Sequence, residues 1–324
     1  MIAHTSHGRP SFVPRVDLHR ASGLTLVMLA AVLWATVGVA SELVPVDQAL
    51  PQDVYGFVRT LVAGPVILLI AFAAGGRKSI APRRGSGASF AVFGLCCAVF
   101  QLCLFRSFEH LGVTITVFLT VCLPPVIALG WAAARRSEAV SAQLLLAFTL
   151  AAGGLLVFVS EDLAGGSGSS TLLGLGLSAA ASVAFVVMTA AGRSLAADHS
   201  PMLVAGWGLI AAAVVLFAVV AAGVPNVGEV LAAAAGSWQN ASLLLYLGLG
   251  PTALAYICYC SGMARCSSAI PGLVASMIEP AVAALLALLL LNEALSVWQA
   301  TGCGIMMLAM LTLARGASAA PPHR

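Results

Sequence analysis

The sequence predicts an all-α integral membrane protein, with ten transmembrane helices arranged as two inverted five-helix repeats. Three observations predict it: a composition too apolar for water, ten apolar stretches of membrane-spanning length, and a motif that recurs at a fixed offset. Of 324 residues, 60% are hydrophobic and 8% charged, and the mean hydropathy is +1.03. A soluble domain carries roughly 25% charged residues. This chain cannot cover a water-facing surface, so lipid must be its solvent. The net charge is only +3, and the basic residues are spread over short loops, which argues against nucleic acid as a partner.

The elements follow in order. Residues 1–20, MIAHTSHGRPSFVPRVDLHR, read as a polar, basic N-terminal tail on the cytoplasmic side. The apolar stretch 21–41 exceeds the roughly 7–15 residues of a signal-peptide core, and reads as a retained first helix. At roughly 20 apolar residues per crossing, further spans fall at 54–74, 89–108, 112–133, 141–160, 171–193, 202–222, 241–262, 268–291 and 297–315. The clearest gaps between them are GGRKSIAPRRGSG, AARRSEAVS and EDLAGGSGSS. With the N-terminus inside and sides alternating, Arg9, Arg15, Arg20, Arg77, Lys78, Arg83, Arg84, Arg135, Arg136, Arg193, Arg265, Arg315 and Arg324 all face the cytoplasm. Only Arg59 and Arg106 fall toward the outside, the asymmetry that the positive-inside rule requires. Both termini, including the tail 316–324, are therefore expected in the cytoplasm.

Repetition sets the architecture. Pro125 and Glu138 are thirteen residues apart, as are Pro280 and Glu293, and the two pairs are offset by 155 residues. The same offset aligns Phe108–Ile115 with Met263–Ile270 without a gap. Spans three to five thus repeat as spans eight to ten. Five is odd, so the second copy enters from the opposite face, giving inverted repeats over 21–160 and 171–315, an organisation of secondary transporters.

These residues carry a resemblance. The chain resembles the EamA family of the drug/metabolite transporter superfamily over nearly all of 21–315, in LPPVIALGWAAARRSE…AAGGLLVF and IEPAVAALLALLLLNEALSVWQATGCGIMML. The second copy, from PTALAYICYC to LLLLNE, is similar to amino-acid exporters of the family, threonine/homoserine exporters included. Arg59 in YGFVRTLVAGPVILL is similar to the family's second-helix Arg, and Trp34 in VLWATVGVA to its first-helix Trp. Two departures bear on substrate detail: DVYGFVRT opens the second helix, and Asn292 stands where Gly is usual. The resemblance implies carriage of small metabolites, usually outward, across a bacterial inner membrane.

Individual residues sharpen the reading. Glu279 lies near the middle of span nine, where a charge costs from about 2.5 to over 10 kcal/mol. It is either a proton-coupling carboxylate or ligand for a solute ammonium, or a neutral, hydrogen-bonded carboxyl bracing a helix break. Pro280 removes a donor and clashes with the carbonyl of residue 276. Pro124 and Pro125 are expected to break the matching fourth helix, and paired breaks point to a central site. Arg59 either binds a solute carboxylate bidentately, or snorkels outward and pairs with Asp53. Trp34, Gln101, Trp207, Tyr256 and Tyr259 are polar-tipped or aromatic residues within spans, candidates for a cavity lining or for packing. Arg106, Glu109 and His110 form either an external gate or a solvated helix end.

The function expected is secondary active export of a small metabolite, an amino acid or similar solute, by alternating access. The alternatives are a drug or toxic-compound efflux permease, a non-transport membrane protein, or an intramembrane enzyme. The absence of GxxxxGK[ST] excludes direct drive by ATP through a P-loop. All six histidines lie outside span interiors, which argues against enzyme chemistry. The eight cysteines sit in or beside apolar runs and read as buried hydrophobes, so neither metal nor cofactor is expected. The expected partners are the solute, the bilayer and, as coupling ion, protons. The sequence sets no oligomeric state.

Overall fold

The computed structural model describes residues 18–42, 50–134, 168–266, 269–276, 278–291 and 296–319, with isolated positions between 146 and 160. All regular structure among them is helical. The fifth expected span, 141–160, lies largely outside the described residues.

Helices α1 (Leu18–Glu42) and α2 (Gln52–Gly75) match the first two expected spans. A single turn, α3 (Arg77–Ile80), leads into α4 (Gly87–Ala134). Spans three and four are the two arms of α4, which meet at a kink where Gly112 adopts φ 72°, ψ 171°. That φ is left-handed and favours glycine. Across the kink the Ser107 and Thr116 hydroxyls stand 3.1 Å apart. Nine residues of straight helix would separate them by about 13.5 Å, so the arms fold back on one another.

Pro124 and Pro125 do not break their helix. They lie inside α4, where Gly112 alone has non-helical dihedrals. Proline's fixed φ suits a helix; what it removes is a hydrogen-bond donor.

The second half begins with α5 (Gly168–Ala196) and α6 (Pro201–Gly223). Ser200 caps α6, its hydroxyl accepting from the Leu203 N–H at 3.3 Å, with Pro201 as the first helical residue. A short α7 (Val227–Gly236), which the sequence reading did not anticipate, precedes α8 (Trp238–Gly248). A wide π-helical turn, Leu249–Leu254, joins α8 to α9 (Ala255–Arg265). Expected span nine is split into α10 (Ala269–Ala275), α11 (Ile278–Leu286) and a terminal π turn, Ala287–Leu291. Helix α12 (Val297–Ala319) follows.

Among the described residues, six stretches are long and apolar enough to cross a membrane: Ser22–Ser41, Gln52–Gly75, Gly87–Val113, Gly168–Ala196, Pro201–Gly223 and Trp238–Arg265. Shorter apolar helices cover Ile115–Trp131, Val227–Gly236 and Val297–Ala309. Leu69, Val214 and Leu289 are about two-thirds exposed, at 66%, 65% and 67%. Water would penalise such a surface and hydrocarbon does not.

The helices interlock through small residues and buried hydroxyls. A Cβ on Gly262 of α9 would lie 2.6 Å from the Gly23 carbonyl oxygen of α1, so only glycine permits this crossing. The Ser107 hydroxyl also meets the Ser178 hydroxyl at 2.8 Å and the Gly174 carbonyl at 3.1 Å, fastening α4 to α5. One end of the bundle carries Arg77, Lys78, Arg83, Arg84, Arg193 and Arg265, and is called the arginine end below. The other end carries Asp53, Arg106 and Glu109.

Candidate functional site

A small cavity lies between the halves of the bundle. Its walls are mostly apolar: Val37 from α1, Phe100, Leu104, Phe108, Val117 and Val121 from the arms of α4, and Phe185 from α5. Its polar groups are Trp34, Arg59, Thr120, Tyr256, Ser276 and Glu279. Four sequence candidates thus converge here: Trp34, Arg59, Tyr256 and Glu279.

Prolines explain where the cavity wall leaves helical hydrogen bonding. A proline at position i deprives the carbonyl at i−4 of its donor. For Pro124, Pro125 and Pro280 those carbonyls belong to Thr120, Val121 and Ser276, three cavity-lining residues. The Ser276 carbonyl is met instead by the Glu279 N–H at 3.1 Å. Pro280 falls in the first turn of α11, where its missing N–H is not needed. Glu279 therefore falls in the first turn of α11, directly before Pro280.

Arg59 is 3% exposed and does not snorkel. Its Nε donates to Thr252 Oγ1 at 2.7 Å, and its Nη2 to the Pro251 carbonyl at 3.2 Å. The guanidinium carbon lies 5.8 Å from the Phe105 ring centroid, within cation–π range. Asp53, the alternative partner, takes a bidentate pair from Arg106 instead, at 3.1 and 2.8 Å. That ion pair ties α2 to the first arm of α4 at the helix ends. The π turn makes the Arg59 contacts possible. Pro251 leaves the Leu247 carbonyl without its usual donor, and the Thr252 hydroxyl donates to it at 2.6 Å. π turns recur at functional sites because they re-aim backbone and side chains.

Glu279 faces the same cavity. Its carboxylate makes no hydrogen bond or ion pair with any described side chain, Arg59 included.

Toward the arginine end the cavity meets an aromatic cluster. The Trp34 ring lies 6.0 Å from Phe185, 5.6 Å from Tyr256 and 5.1 Å from Tyr259, centroid to centroid. Phe100 lies 5.3 Å from Phe185. The Tyr256 hydroxyl meets Cys97 Sγ at 3.5 Å.

The other candidates sit elsewhere. Tyr259 is behind Trp34, shares a 2.6 Å hydrogen bond with Thr189, and borders a separate small pocket with Arg193 and Met263. Gln101 is buried beside the cavity but does not line it. Trp207 is remote: its indole N–H donates to the Ile80 carbonyl at 2.8 Å, near the arginine end. His110 meets Ser170 at 3.0 Å, so it fastens α4 to α5. Sequence reasoning named residue 276 only for its backbone clash with Pro280 and missed Thr120 and Val121, although counting back four residues from Pro124 and Pro125 finds both. The apolar liners carried no signal, since lipid-facing and cavity-facing Phe, Leu and Val look alike in sequence.

Comparison with known proteins agrees with this architecture. A relative described as the uncharacterized inner membrane transporter YicL, from Salmonella typhimurium (strain LT2), is 26% identical over 187 residues. The match covers 57% of this chain and 62% of the relative, so it spans less than two thirds of that protein. A solved structure described only as "Crystal structure of protein" superposes with a TM-score of 0.69 over 93% of this chain and 100% of its own, at 19% identity. That likeness is one of fold. Residues 21–160 and 172–315 match the EamA-like transporter family, which accounts for the apolar helices, the central cavity and its buried charges together: the chain belongs to the EamA-like transporter family.

Proposed function

We propose that this transporter exports a small zwitterionic solute, an amino acid or a close relative, across the inner membrane. The observation that carries the reading is the pairing of opposite charges in one apolar cavity without an ion pair between them. Arg59, with donors beyond those spent on Pro251 and Thr252, faces a carboxylate. Glu279 faces an ammonium or a proton. The aromatic cluster supplies the apolar contact that an amphipathic solute needs.

The mechanism we infer is rocking of two inverted five-helix halves around this cavity, ten helices in all, with both termini in the cytoplasm. The arginine end is then cytoplasmic, and the aromatic cluster is the inner closure. Proton entry at Glu279 drives the return of the empty carrier.

The test is efflux from proteoliposomes preloaded with an equimolar mixture of the twenty common L-amino acids, followed by mass spectrometry with and without an imposed pH gradient. Selective, gradient-dependent loss of one or a few members is the expected result, with the gradient dependence gone in Glu279→Gln. A variant that keeps its full gradient dependence removes Glu279 from proton coupling. The aromatic walls also suit an apolar cationic drug, which would bind through Glu279 alone. On that reading Arg59 variants leave transport of ethidium intact and no amino acid leaves the vesicles.

A further inference from the structure

Gln101, in the first arm of α4, is 1% exposed, yet among the described residues neither its Oε1 nor its Nε2 has a hydrogen-bond partner. Buried amides are paired in native structures far more often than not, and inside a bilayer no bulk water relieves an orphan. An apolar side chain of similar size would fill the same space at lower cost. Stability therefore does not account for an amide here.

Its neighbours suggest what does. One helical turn toward the arginine end lies Cys97, whose Sγ meets the Tyr256 hydroxyl at 3.5 Å. One turn the other way lies Phe105, whose ring underlies the Arg59 guanidinium. Leu104, three residues on, lines the cavity. Gly56 of α2 packs so close that a Cβ there would stand 3.6 Å from the Gln101 Cβ. At 100° per residue, Gln101 borders the arc of α4 that Phe100, Leu104 and Phe108 present to the cavity. The amide is thus set between two polar groups of the site, at the edge of its wall.

We propose that Gln101 is a specificity-determining contact for the transported solute, unpaired in this conformation and satisfied when the solute path widens past Leu104. A carboxamide offers one acceptor oxygen and two donors without charge. It therefore takes a neutral polar group of the solute, while Arg59 and Glu279 take its charges. Part of this proposal rests on the cavity being the solute path, but its first test needs no transported solute.

In a background with the eight native cysteines replaced by alanine, Gln101→Cys is reconstituted and treated with 2-(trimethylammonium)ethyl methanethiosulfonate, whose permanent charge confines it to thiols that water reaches. Modification is expected at position 101 and not at Ala212→Cys, a position of 0% exposure in the core of α6. An unreactive thiol at 101 overturns the proposal. The second test is Gln101→Leu. Its thermal midpoint in detergent is expected to rise by several degrees. Its half-saturating concentration for the best-exported member of the amino-acid mixture should rise at least tenfold at a maximal rate within twofold of the parent. An unchanged half-saturation overturns the specificity role and assigns the amide to a buried water. If no amino acid is exported by the parent protein, the proposed function fails, while the labelling result still decides whether Gln101 meets water.

Discussion

At the scale of single residues, the polar chemistry of the site is organised by what prolines take away. Thr120, Val121 and Ser276 surrender their helical donors to Pro124, Pro125 and Pro280, and all three line the cavity. Leu247 surrenders its donor to Pro251, and the Thr252 hydroxyl that replaces it is the acceptor for Arg59. Arg59→Lys is expected to lower transport about tenfold while the protein still inserts and elutes as a single species. One ammonium cannot reproduce the guanidinium's two separated contacts, and a charge-assisted bond is worth roughly 1.5–3 kcal/mol. Uptake counterflow and size-exclusion profiles read the two halves of that statement. Thr252→Val should lose less, since the Pro251 carbonyl still holds Nη2. Sequence alone exposed Arg59 and Glu279, because a charge in an apolar run stands out. It could not place Arg59, since Asp53 lies six residues away and is nearer in sequence than Thr252. In the fold Asp53 is taken by Arg106, an arginine from another helix.

Helix boundaries were legible wherever turn chemistry or charge marked them, as at Pro201 and at the Arg77–Arg84 loop. They were less legible inside the broken spans. The paired prolines suggested two broken helices, yet only the second is interrupted, just ahead of Pro280. In α4 the interruption falls at Gly112, whose positive φ no proline could adopt. Gly112→Ala is expected to destabilise the protein by about 1–3 kcal/mol, the penalty for a side chain at a positive φ with extended ψ that is essentially reserved to glycine, visible as a lower thermal midpoint. A stronger effect is expected at Gly262→Val. The added Cβ meets the Gly23 backbone at 2.6 Å, so α1 and α9 must part. Overpacking of this kind costs about 1–3 kcal/mol, and because Trp34 and Tyr256 sit on these same two helices, transport should fall as well. A Gly262→Val protein with normal melting and normal transport would contradict the packing described.

Across the whole molecule, a loop adds to the α1–α9 crossing in fastening the two halves at the arginine end. The segment between α2 and α4 is held by α6 and by the turn that precedes it. Trp207 bonds the Ile80 carbonyl at 2.8 Å, His199 Nε2 accepts from the Arg83 N–H at 3.1 Å, and the Arg83 and Asp198 side chains form an ion pair. These contacts do not weigh equally. The ion pair is 69% and 58% exposed on its two sides, and exposed pairs contribute only about 0–1 kcal/mol. The Trp207 bond is partly buried. Trypsin cleavage at Arg83 and Arg84 in the detergent-solubilised protein should therefore rise severalfold in Trp207→Phe and change little in Asp198→Asn. Sequence reading placed Trp207 among cavity candidates because an indole within an apolar span needs a partner. The partner proved to be a backbone carbonyl more than a hundred residues earlier, which no local pattern encodes.

That separation also has a consequence in time. The loop and its three partners are 115 to 127 residues apart. Ribosomes add roughly 5–20 residues per second, so the loop waits about 6–25 s for the residues that will hold it. Throughout that interval the nascent first half carries an unfastened basic segment, and synthesis of the turn before α6 and of α6 up to Trp207 ends the wait.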